Sequence, residues 1–405
     1  MALALPTVDL VAAYSRVVAL LGQAREIVLV RAAATPPSWC LAHGWQDYLL
    51  GLSESALERA DTEGIAAWFL ADPGCPSSLR DLAGQVHAFL ALIPVVSGLS
   101  APAELPFMNV RKRGQVAAVV RVLRESFPSL REIVDVGAGS GHLTRRASAE
   151  LSVAAVGLER DPERVAVARM LAGDLPVRFV TSDVLSATDN PLAAWAPTVG
   201  RLFMALHGCG ELGDAVVSAA AAARAQVLLL GCCPQKIRGA HRAPLVPGGP
   251  SFPREILGLA NVMARTAGVE GDLRRALATK ESRLALRYML AARGVCIPAG
   301  EEMRGVNRRK ANAGFAVFAE AVCRARAFPP PSREEVVAAA DKAHAHYVAQ
   351  RRLSLPRSML GRVLECFLAL DRALFLQSRG YRVTVVELFA AAYSPRNLAV
   401  LGWRD

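Results

Sequence analysis

The sequence predicts an α/β fold: a doubly wound, mostly parallel seven-stranded sheet whose last strand is antiparallel. Short β-branched segments alternate with helical ones from Ile133 to Cys233, as in repeated strand–helix–strand units with right-handed crossovers. The final segment, 381–405, has the pattern of two strands joined by a turn at Ser394-Pro395. We therefore expect these two strands to complete a sheet that begins much earlier in the chain.

Helical patterns precede and interrupt the strands. Residues 1–107 are predicted to form a helical N-terminal region, because apolar residues recur at spacings of three and four. The domain that contains the sheet is expected over 108–405. Within it, 234–380 is predicted to be a mostly helical insertion before the last two strands, since the strand–helix alternation stops after Cys233.

Composition argues against a membrane-spanning or disulfide-rich protein. The chain has 405 residues, 53% of them hydrophobic, but it contains no run of about 18 uncharged apolar residues that would span a bilayer. Its first helical pattern includes Asp9 and Arg16, which is not typical of a signal peptide. The eight cysteines include no Cys-x-x-Cys, so we expect reduced thiols, no metal and a cytoplasmic location. No pattern indicates an oligomeric state.

The chain is basic, with a formal net charge of +11. A basic surface attracts nucleic acid, so RNA is a possible substrate. Lysine is scarce beside arginine, however, and abundant arginine and alanine also arise from a GC-rich genome. Charge alone therefore gives equal weight to RNA binding and to genome composition as explanations of the basic sequence.

The strongest local signal is a strand that ends in a glycine-rich turn and leads into a helix. Asp135 precedes Gly137, Gly139 and Gly141, and His142 stands where a dinucleotide fingerprint has its third glycine. Glycines permit a tight turn and close approach of a ligand, beside helix N–H groups that favour a carboxylate. The G-x-G-x-G pattern therefore predicts a site for S-adenosylmethionine, whose ammonium Asp135 would hold directly or through water.

Two more acids follow the next two strands. Glu159 ends the second strand, at the usual offset of about 20 residues where a carboxylate accepts both ribose hydroxyls. Asp183 ends the third strand and is placed to accept from the adenine amino group. His142, Arg160 and Leu206, which adjoin these strand ends, are further predicted cofactor contacts.

The fourth strand ends in Leu206–Leu212, which should face the methyl group because ligands of doubly wound sheets bind beyond the carboxyl ends of strands. His207 is a candidate general base, since imidazole titrates near neutral pH. Cys209 is a weaker catalytic candidate, as a nucleophile. The alternative for both is a turn residue that bonds the backbone.

Five polar side chains are predicted substrate contacts: Arg111, Lys112, Arg113, Arg396 and Asn397. The first three could hold a phosphate or an acidic substrate, or could form a solvated basic linker. The last two follow Ser394-Pro395, where they could gate substrate or simply make the turn between strands.

The order of these segments resembles the methyltransferase-like protein 25 family. The matching segments lie within 108–403 and are Met108–Arg113, Val134–Arg145, Leu206–Leu212, Gly231–Cys233, Arg362–Glu365, Leu370–Gln377 and Ser394–Ala399. The resemblance implies a Rossmann-like class I methyltransferase fold with S-adenosylmethionine as cofactor. This chain departs from the family at Gly114-Gln115, where the family tends to have His-Glu. The His-x-Cys-Gly element is also similar to that of a tRNA 2′-O-methyltransferase family, whose Cys/His zinc modules are absent here.

Three functions remain open on the sequence alone. The first is a methyltransferase that acts on RNA, with tRNA or rRNA as targets, because of the basic charge. The second is a protein or small-molecule methyltransferase whose helical segments close a pocket. The third is a binding module that retains S-adenosylmethionine without turnover.

Overall fold

The computed structural model describes residues 5–96, 110–186, 192, 195–263, 270–298 and 300–404, without the side chains of 110, 111, 262, 263, 270–274, 276 and 308. Contacts group the chain into two compact units. One comprises Met1–Val28, Gly84–Ala267 and Met359–Asp405, and the other comprises Leu29–Ala83 and Gly268–Ser358.

These units are defined by contacts in space, whereas the ranges 1–107, 108–405 and 234–380 were drawn along the chain. The sequence-based ranges therefore stay predictions.

The first unit contains the sheet. The strands of the described residues are β1 (Glu132–Val136), β2 (Ala154–Glu159), β3 (Val177–Thr181), β4 (Arg201–Cys209), β5 (Gln226–Cys232), β6 (His241–Arg242), β7 (Phe252–Pro253), β8 (Arg382–Glu387) and β9 (Leu398–Trp403). Seven of them form one sheet in the order β3-β2-β1-β4-β5-β9-β8, while β6 and β7 pair separately. Strands β1 to β5 are parallel, and β9 runs antiparallel to both β5 and β8. The predicted fold class, including the antiparallel last strand, is confirmed.

Helices flank and connect these strands. Those of the described residues are α1 (Leu10–Gln23), α2 (Arg25–Leu29), α3 (Ser38–Ala42), α4 (Gln46–Gly51), α5 (Glu54–Glu63), α6 (Ile65–Ala71), α7 (Ser77–Leu90), α8 (Val110–Ser126), α9 (His142–Leu151), α10 (Pro162–Met170), α11 (Glu211–Ala222), α12 (Arg254–Leu257), α13 (Ala260–Met263), α14 (Glu270–Ala292), α15 (Arg308–Asn312), α16 (Phe315–Ala325), α17 (Arg333–Leu353) and α18 (Leu355–Gln377). None of the helices in this described part is long and apolar enough to cross a membrane.

The core of the first unit lies between the sheet and its helices. Val116, Val119 and Leu123 of α8 are fully buried and pack in one apolar cluster with Ile133 of β1. Alternate residues of a strand face opposite sides, so a slip of β1 by one residue would move these contacts to the wrong face. The packing of α8 therefore fixes where β1 ends.

The second unit has its own core. Helices α14 and α16 contribute Leu286, Phe318 and Val322, all without exposed surface, to one cluster. Ser332 caps α17 with a reciprocal capping box, because its hydroxyl accepts from Glu335 N while the Glu335 carboxylate accepts from Ser332 N. Arg293 Nε also donates to Glu335 Oε1 at 2.6 Å, which joins α14 to α17.

A buried ionic cluster joins α18 to α11 and β6. Arg242 donates to Asp371 at 2.7 Å and to Asp214 at 2.8 Å, and Arg372 donates to Asp214 at 2.8 Å. Arg372 Nη2 also donates to Gly210 O at 2.9 Å. Removing one member of such a cluster leaves an unpaired buried charge, at a cost of about 3–5 kcal/mol. The cluster therefore fixes the backbone that follows β4.

Candidate active site

A cleft of about 430 Å³ opens at the carboxyl ends of the parallel strands. This edge is where doubly wound sheets bind ligands, and the volume falls in the range of small-molecule sites. Predicted residues on its wall are Gly137, Glu159, Arg160, Asp183, His207 and Cys209. The other lining residues were not among the contacts predicted from the sequence: Leu158, Ser182, Val184, Leu185, Glu211, Leu212, Lys236, Ile237 and Arg238.

The glycine turn, residues 137–141, is held against β2. Gly137 N and Ala138 N both donate to Leu158 O, at 2.8 and 3.0 Å. Gly141 has φ +71°, and a Cβ there would lie 2.4 Å from the Phe179 ring. Gly139 has φ +58°, but a Cβ there would meet no atom within 4 Å. Gly141 is therefore required for packing, whereas the open side of Gly139 leaves room for a ligand.

Glu159 closes the turn from β2. Its Oε2 accepts from Gly139 N at 2.9 Å, and its Oε1 accepts from Asp161 N at 3.1 Å. Two backbone donors thus orient the carboxylate at the cleft wall, as expected for a group that must bind a ligand in one geometry.

Asp135 lies below the glycine turn and is not part of the cleft wall. Its side chain is buried, and Thr144 Oγ1 of α9 donates to Asp135 Oδ2 at 2.6 Å. Burial raises the pKa of Asp135 to about 6, the charge of Glu159 adds to the rise, and the Thr144 bond and the charge of Lys112 oppose it. The carboxylate is therefore placed to act on a ligand through the turn rather than beside it.

The end of β3 supplies polar groups at the other side of the cleft. Asp183 Oδ1 accepts from Leu185 N at 3.1 Å, which forms a tight turn. Ser182 Oγ is buried and has no hydrogen-bond partner among the described residues. Buried polar atoms are nearly always paired, so this hydroxyl, on a residue that lines the cleft, has a hydrogen bond still to make.

The end of β4 departs from regular strand geometry. The register with β5 shifts between Leu206 and Gly208, and His207 has φ +72°. His207 Nε2 lies 3.0 Å from Gln115 Oε1, while Gln115 Nε2 donates to Tyr393 O at 3.2 Å. Since the Gln115 amide nitrogen is already used as a donor, its oxygen faces the ring, and the network assigns the proton of His207 to Nε2. Its Nδ1 is then the acceptor.

The electrostatics around His207 favour a neutral ring. Desolvation by the surrounding protein lowers the pKa of His207, and the charges of Arg396 and Lys112 lower it further. His207 thus combines a fixed tautomer with an uncharged state at neutral pH.

Three cysteines meet at the ends of β4 and β5. The Sγ atoms of Cys209, Cys232 and Cys233 lie within 4.8 Å of one another, and we call this group the thiol cluster. Cys232 Sγ also donates to His207 O at 3.3 Å. The hydrogen bond with Cys232 and the charge of Lys236 lower the pKa of Cys209 to about 6, against desolvation, and the same pairing raises the pKa of Cys232.

The loop after β5 closes the cleft beside this cluster. Arg238 Nη2 donates to Glu211 Oε1 at 2.7 Å, and Glu211 N donates to Lys236 O at 3.1 Å. Gly210 is required there, because a Cβ on it would lie 2.2 Å from Lys236 O. The sequence could have indicated that this loop borders the cleft, because the loop directly follows the end of β5.

Other predicted cofactor and substrate contacts lie apart from the cleft wall. Leu206 packs against the core, and His142 Nδ1 contacts Arg145 Nη2 at 3.3 Å. The charge of Lys112 acts on both Asp135 and His207. The Arg111 side chain is outside the described residues, as are Met108 and Asn109.

The two residues after Ser394-Pro395 differ. Arg396 Nη1 is buried without a hydrogen-bond partner in the described part of the chain, and its charge acts on His207 and Cys209. Asn397 is 2% exposed, accepts from Arg362 at 2.8 Å and donates to Phe389 O at 2.8 Å. Its amide is thus used inside the fold, which favours the turn role of Asn397 over the predicted substrate contact.

Comparison with known proteins indicates the class of domain to which part of this chain is similar. Residues 111–240 match the family model of a methyltransferase domain. A search of curated protein sequences gave no significant match.

Two solved structures illustrate the similarity. The chain is similar to the sugar N-methyltransferase KedS8 from a Streptoalloteichus species, with 19% identity and a TM-score of 0.22 over 34% of this chain and 59% of that one. It is also similar to the plantazolicin methyltransferase BpumL, crystallised with a triazolic desmethylPZN analog and SAH, with 13% identity and a TM-score of 0.23 over 46% of this chain and 61% of that one. Each match spans less than two thirds of the solved protein.

The match to a methyltransferase domain covers strands β1 to β5, whose carboxyl ends border the cleft. It agrees with the sequence-based prediction of an S-adenosylmethionine-dependent methyltransferase.

Proposed function

We propose that the cleft holds S-adenosylmethionine with its amino-acid moiety on the glycine turn, its ribose at Glu159 and its adenine near Asp183. The open side of Gly139, whose N–H is bound by Glu159, is the observation that carries this proposal. A ligand can pack directly on that backbone because no side chain covers it. The unpartnered hydroxyl of Ser182 supports a nucleoside at the far end.

The remaining predicted cofactor residues have supporting roles in this proposal. Asp135 attracts the ligand's ammonium electrostatically from below the turn, where Thr144 holds it. Arg160 lines the wall beside Glu159. His142 and Leu206 shape the turn and the strand end rather than bind the ligand.

Bound S-adenosylmethionine supplies an electrophilic methyl group. We propose that His207 takes the proton of the acceptor at Nδ1, since Gln115 keeps the proton of the ring on Nε2. The lowered pKa of His207 keeps the ring neutral and able to accept. Arg396, with one buried N–H unsatisfied, would bind an anionic group of the acceptor.

RNA, as tRNA or rRNA, is the acceptor that we propose first. The net charge of +11 supports a polyanion, and Lys236 and Arg160 on the cleft wall add positive charge near its mouth. Membership of the methyltransferase-like protein 25 family is a separate proposal that rests on the order of motifs, and it does not specify the acceptor. A protein or a small molecule is the second candidate, supported by the volume of the cleft, which is in the range of small-molecule sites.

Two measurements test the function in order. Calorimetry of the purified full chain with S-adenosylmethionine and its demethylated product should show binding. Tritiated S-adenosylmethionine is then incubated with the protein and a lysate that is fractionated into RNA, protein and low-mass pools.

Each outcome of the second measurement selects one function. Label in RNA supports the first proposal, and label in protein or low-mass product with blank RNA selects the second. Tight binding without transfer to any pool indicates a binding module. Absence of binding heat overturns the cofactor site itself.

A further inference from the structure

The thiol cluster differs from the other cysteines of the chain. Cys209, Cys232 and Cys233 are half-buried, whereas Cys40, Cys75, Cys323 and Cys366 are buried in cores and Cys296 is exposed. All eight are free thiols. Packing accounts for the buried four, because free cysteine behaves as a small apolar side chain. It does not account for three thiols gathered at the edge of a cleft.

The backbone brings these thiols together at a cost. Successive side chains of a strand point to opposite faces, so Cys232 and Cys233 would normally diverge. Cys233 has φ +36°, a left-handed conformation that L-residues rarely adopt. Cys209 and Cys232 are direct partners across β4 and β5. Strain of this kind persists where the surrounding structure imposes it and is concentrated at functional sites.

The spacing suits a thiophilic cation. A tetrahedral zinc ion with Zn–S bonds of about 2.3 Å holds its sulfurs roughly 3.8 Å apart. The three Sγ atoms already lie within 4.8 Å of one another, so each pair is within about 1 Å of this spacing. Lys236 and Arg396 act electrostatically on Cys209, and their charges would offset the net negative charge of three thiolates on one divalent ion.

We infer that Cys209, Cys232 and Cys233 form a zinc site whose fourth position is open to the cleft. Among the described residues the group offers three ligands, which is the number of protein ligands in catalytic zinc sites, whereas structural sites have four. Cys209 lies on the cleft wall, so the open position faces the acceptor side. A water molecule or a donor atom of the acceptor would occupy it. The placement of the open position beside the acceptor rests on the proposed function, whereas metal binding itself does not.

Metal titration of the full chain tests the site. The protein is purified with a non-metal-binding reductant, stripped with a chelator and titrated with Zn²⁺ against a chromophoric chelator. Co²⁺ is then added to a second sample, because thiolate ligands give it intense sulfur-to-metal charge-transfer absorption. We expect one equivalent of zinc and the charge-transfer bands of a three-thiolate site.

Variants separate this cluster from adventitious thiols. Cys232→Ser and Cys233→Ser should lose stoichiometric zinc and the cobalt bands, whereas Cys296→Ser, at an exposed thiol, should retain both. Circular dichroism and calorimetry with the demethylated cofactor show that each variant is folded. Eight titratable thiols with no zinc bound, or equal loss in Cys296→Ser, overturn the site.

The two proposals fail separately in these experiments. Zinc binding without cofactor heat contradicts the proposed function and leaves the metal site in place. Cofactor heat without zinc binding contradicts the metal site and leaves the proposed function in place.

Discussion

The two halves of the cleft edge are built differently. At the ends of β1 to β3, parallel register is regular, and the site consists of backbone N–H groups and carboxylates such as Glu159. At the ends of β4 and β5, the register shifts, and both His207 and Cys233 have positive φ. The first half is regular backbone with an acid at each end, and the second is strained backbone with an imidazole and three thiols.

The difference extends to the supports of each half. Gly139 and Glu159 are 20 residues apart, within one strand–helix–strand unit. His207 instead depends on Gln115, 92 residues away, and Gly210 depends on Arg372, 162 residues away. We call the ends of β1 to β3 the cofactor half and the ends of β4 and β5 the acceptor half, after their proposed roles. The cofactor half can form from local sequence, whereas the acceptor half requires distant segments to be in place.

Replacing His207 should have the largest effect and distinguish the halves most clearly. In His207→Asn we expect kcat to fall about 10²–10⁴-fold, because the proposed general base is lost, while cofactor affinity is unchanged. Asn tolerates the left-handed φ at this position. Single-turnover transfer to the labelled lysate pool measures kcat, and calorimetry measures affinity. His87→Asn, at an exposed position of α7, is the matched control; unchanged turnover in His207→Asn would reduce His207 to a turn residue.

Replacing Glu159 should affect the other half alone. Glu159→Ala removes the acceptor of Gly139 N and the proposed ribose contacts, so cofactor affinity should weaken by about 2–3 kcal/mol. Calorimetry with the demethylated cofactor measures this loss. Asp174→Ala removes an exposed carboxylate near the end of α10 and should leave the affinity unchanged. Equal affinities in wild type and Glu159→Ala would remove Glu159 from the site.

The glycine turn gives a smaller effect on stability. Gly141→Ala and Gly173→Ala both place an alanine at positive φ, but only residue 141 faces the Phe179 ring at 2.4 Å. The backbone conformation costs each variant about 1–2 kcal/mol, and the clash should cost Gly141→Ala roughly 1–3 kcal/mol more. Urea unfolding of both variants measures the difference. Equal losses would show that the ring moves aside without cost.

The same contrast explains what the sequence could predict. The mostly parallel seven-stranded sheet follows from strand–helix alternation, and this prediction is confirmed. The cofactor prediction depends on Asp135, the glycine turn and Glu159, which are close in sequence, and the match to a methyltransferase domain agrees with it. The thiol cluster could not be predicted from spacing, because Cys209 and Cys232 meet only when β4 and β5 pair. The expectation of no metal considered only Cys-x-x-Cys spacing.

Asn397 shows how a distant partner bears on such a prediction. Its position after Ser394-Pro395 left a turn residue and a substrate gate both open, and Arg362 from α18 and the Phe389 carbonyl bond its amide. Such a partner, 35 residues away in the chain, leaves no mark on local pattern. The acceptor half contains most of these distant contacts, so its chemistry is where sequence-based prediction is weakest.

The smallest expected effect concerns pH and tests the burial of Asp135. An unfolded Asp titrates near 3.9, and burial raises the pKa of Asp135 to about 6. The folded state therefore binds the proton more tightly, so this stabilising contribution is complete below about pH 4 and is lost as pH rises through about 6. From pH 5 to pH 7, the free energy of unfolding of the wild type should fall by about 1 kcal/mol relative to Asp135→Asn, which has no proton to lose. Urea unfolding at both pH values measures this. Parallel pH profiles would mean that water reaches the carboxylate under the turn, and Asp135 would then belong to the open wall of the cofactor half.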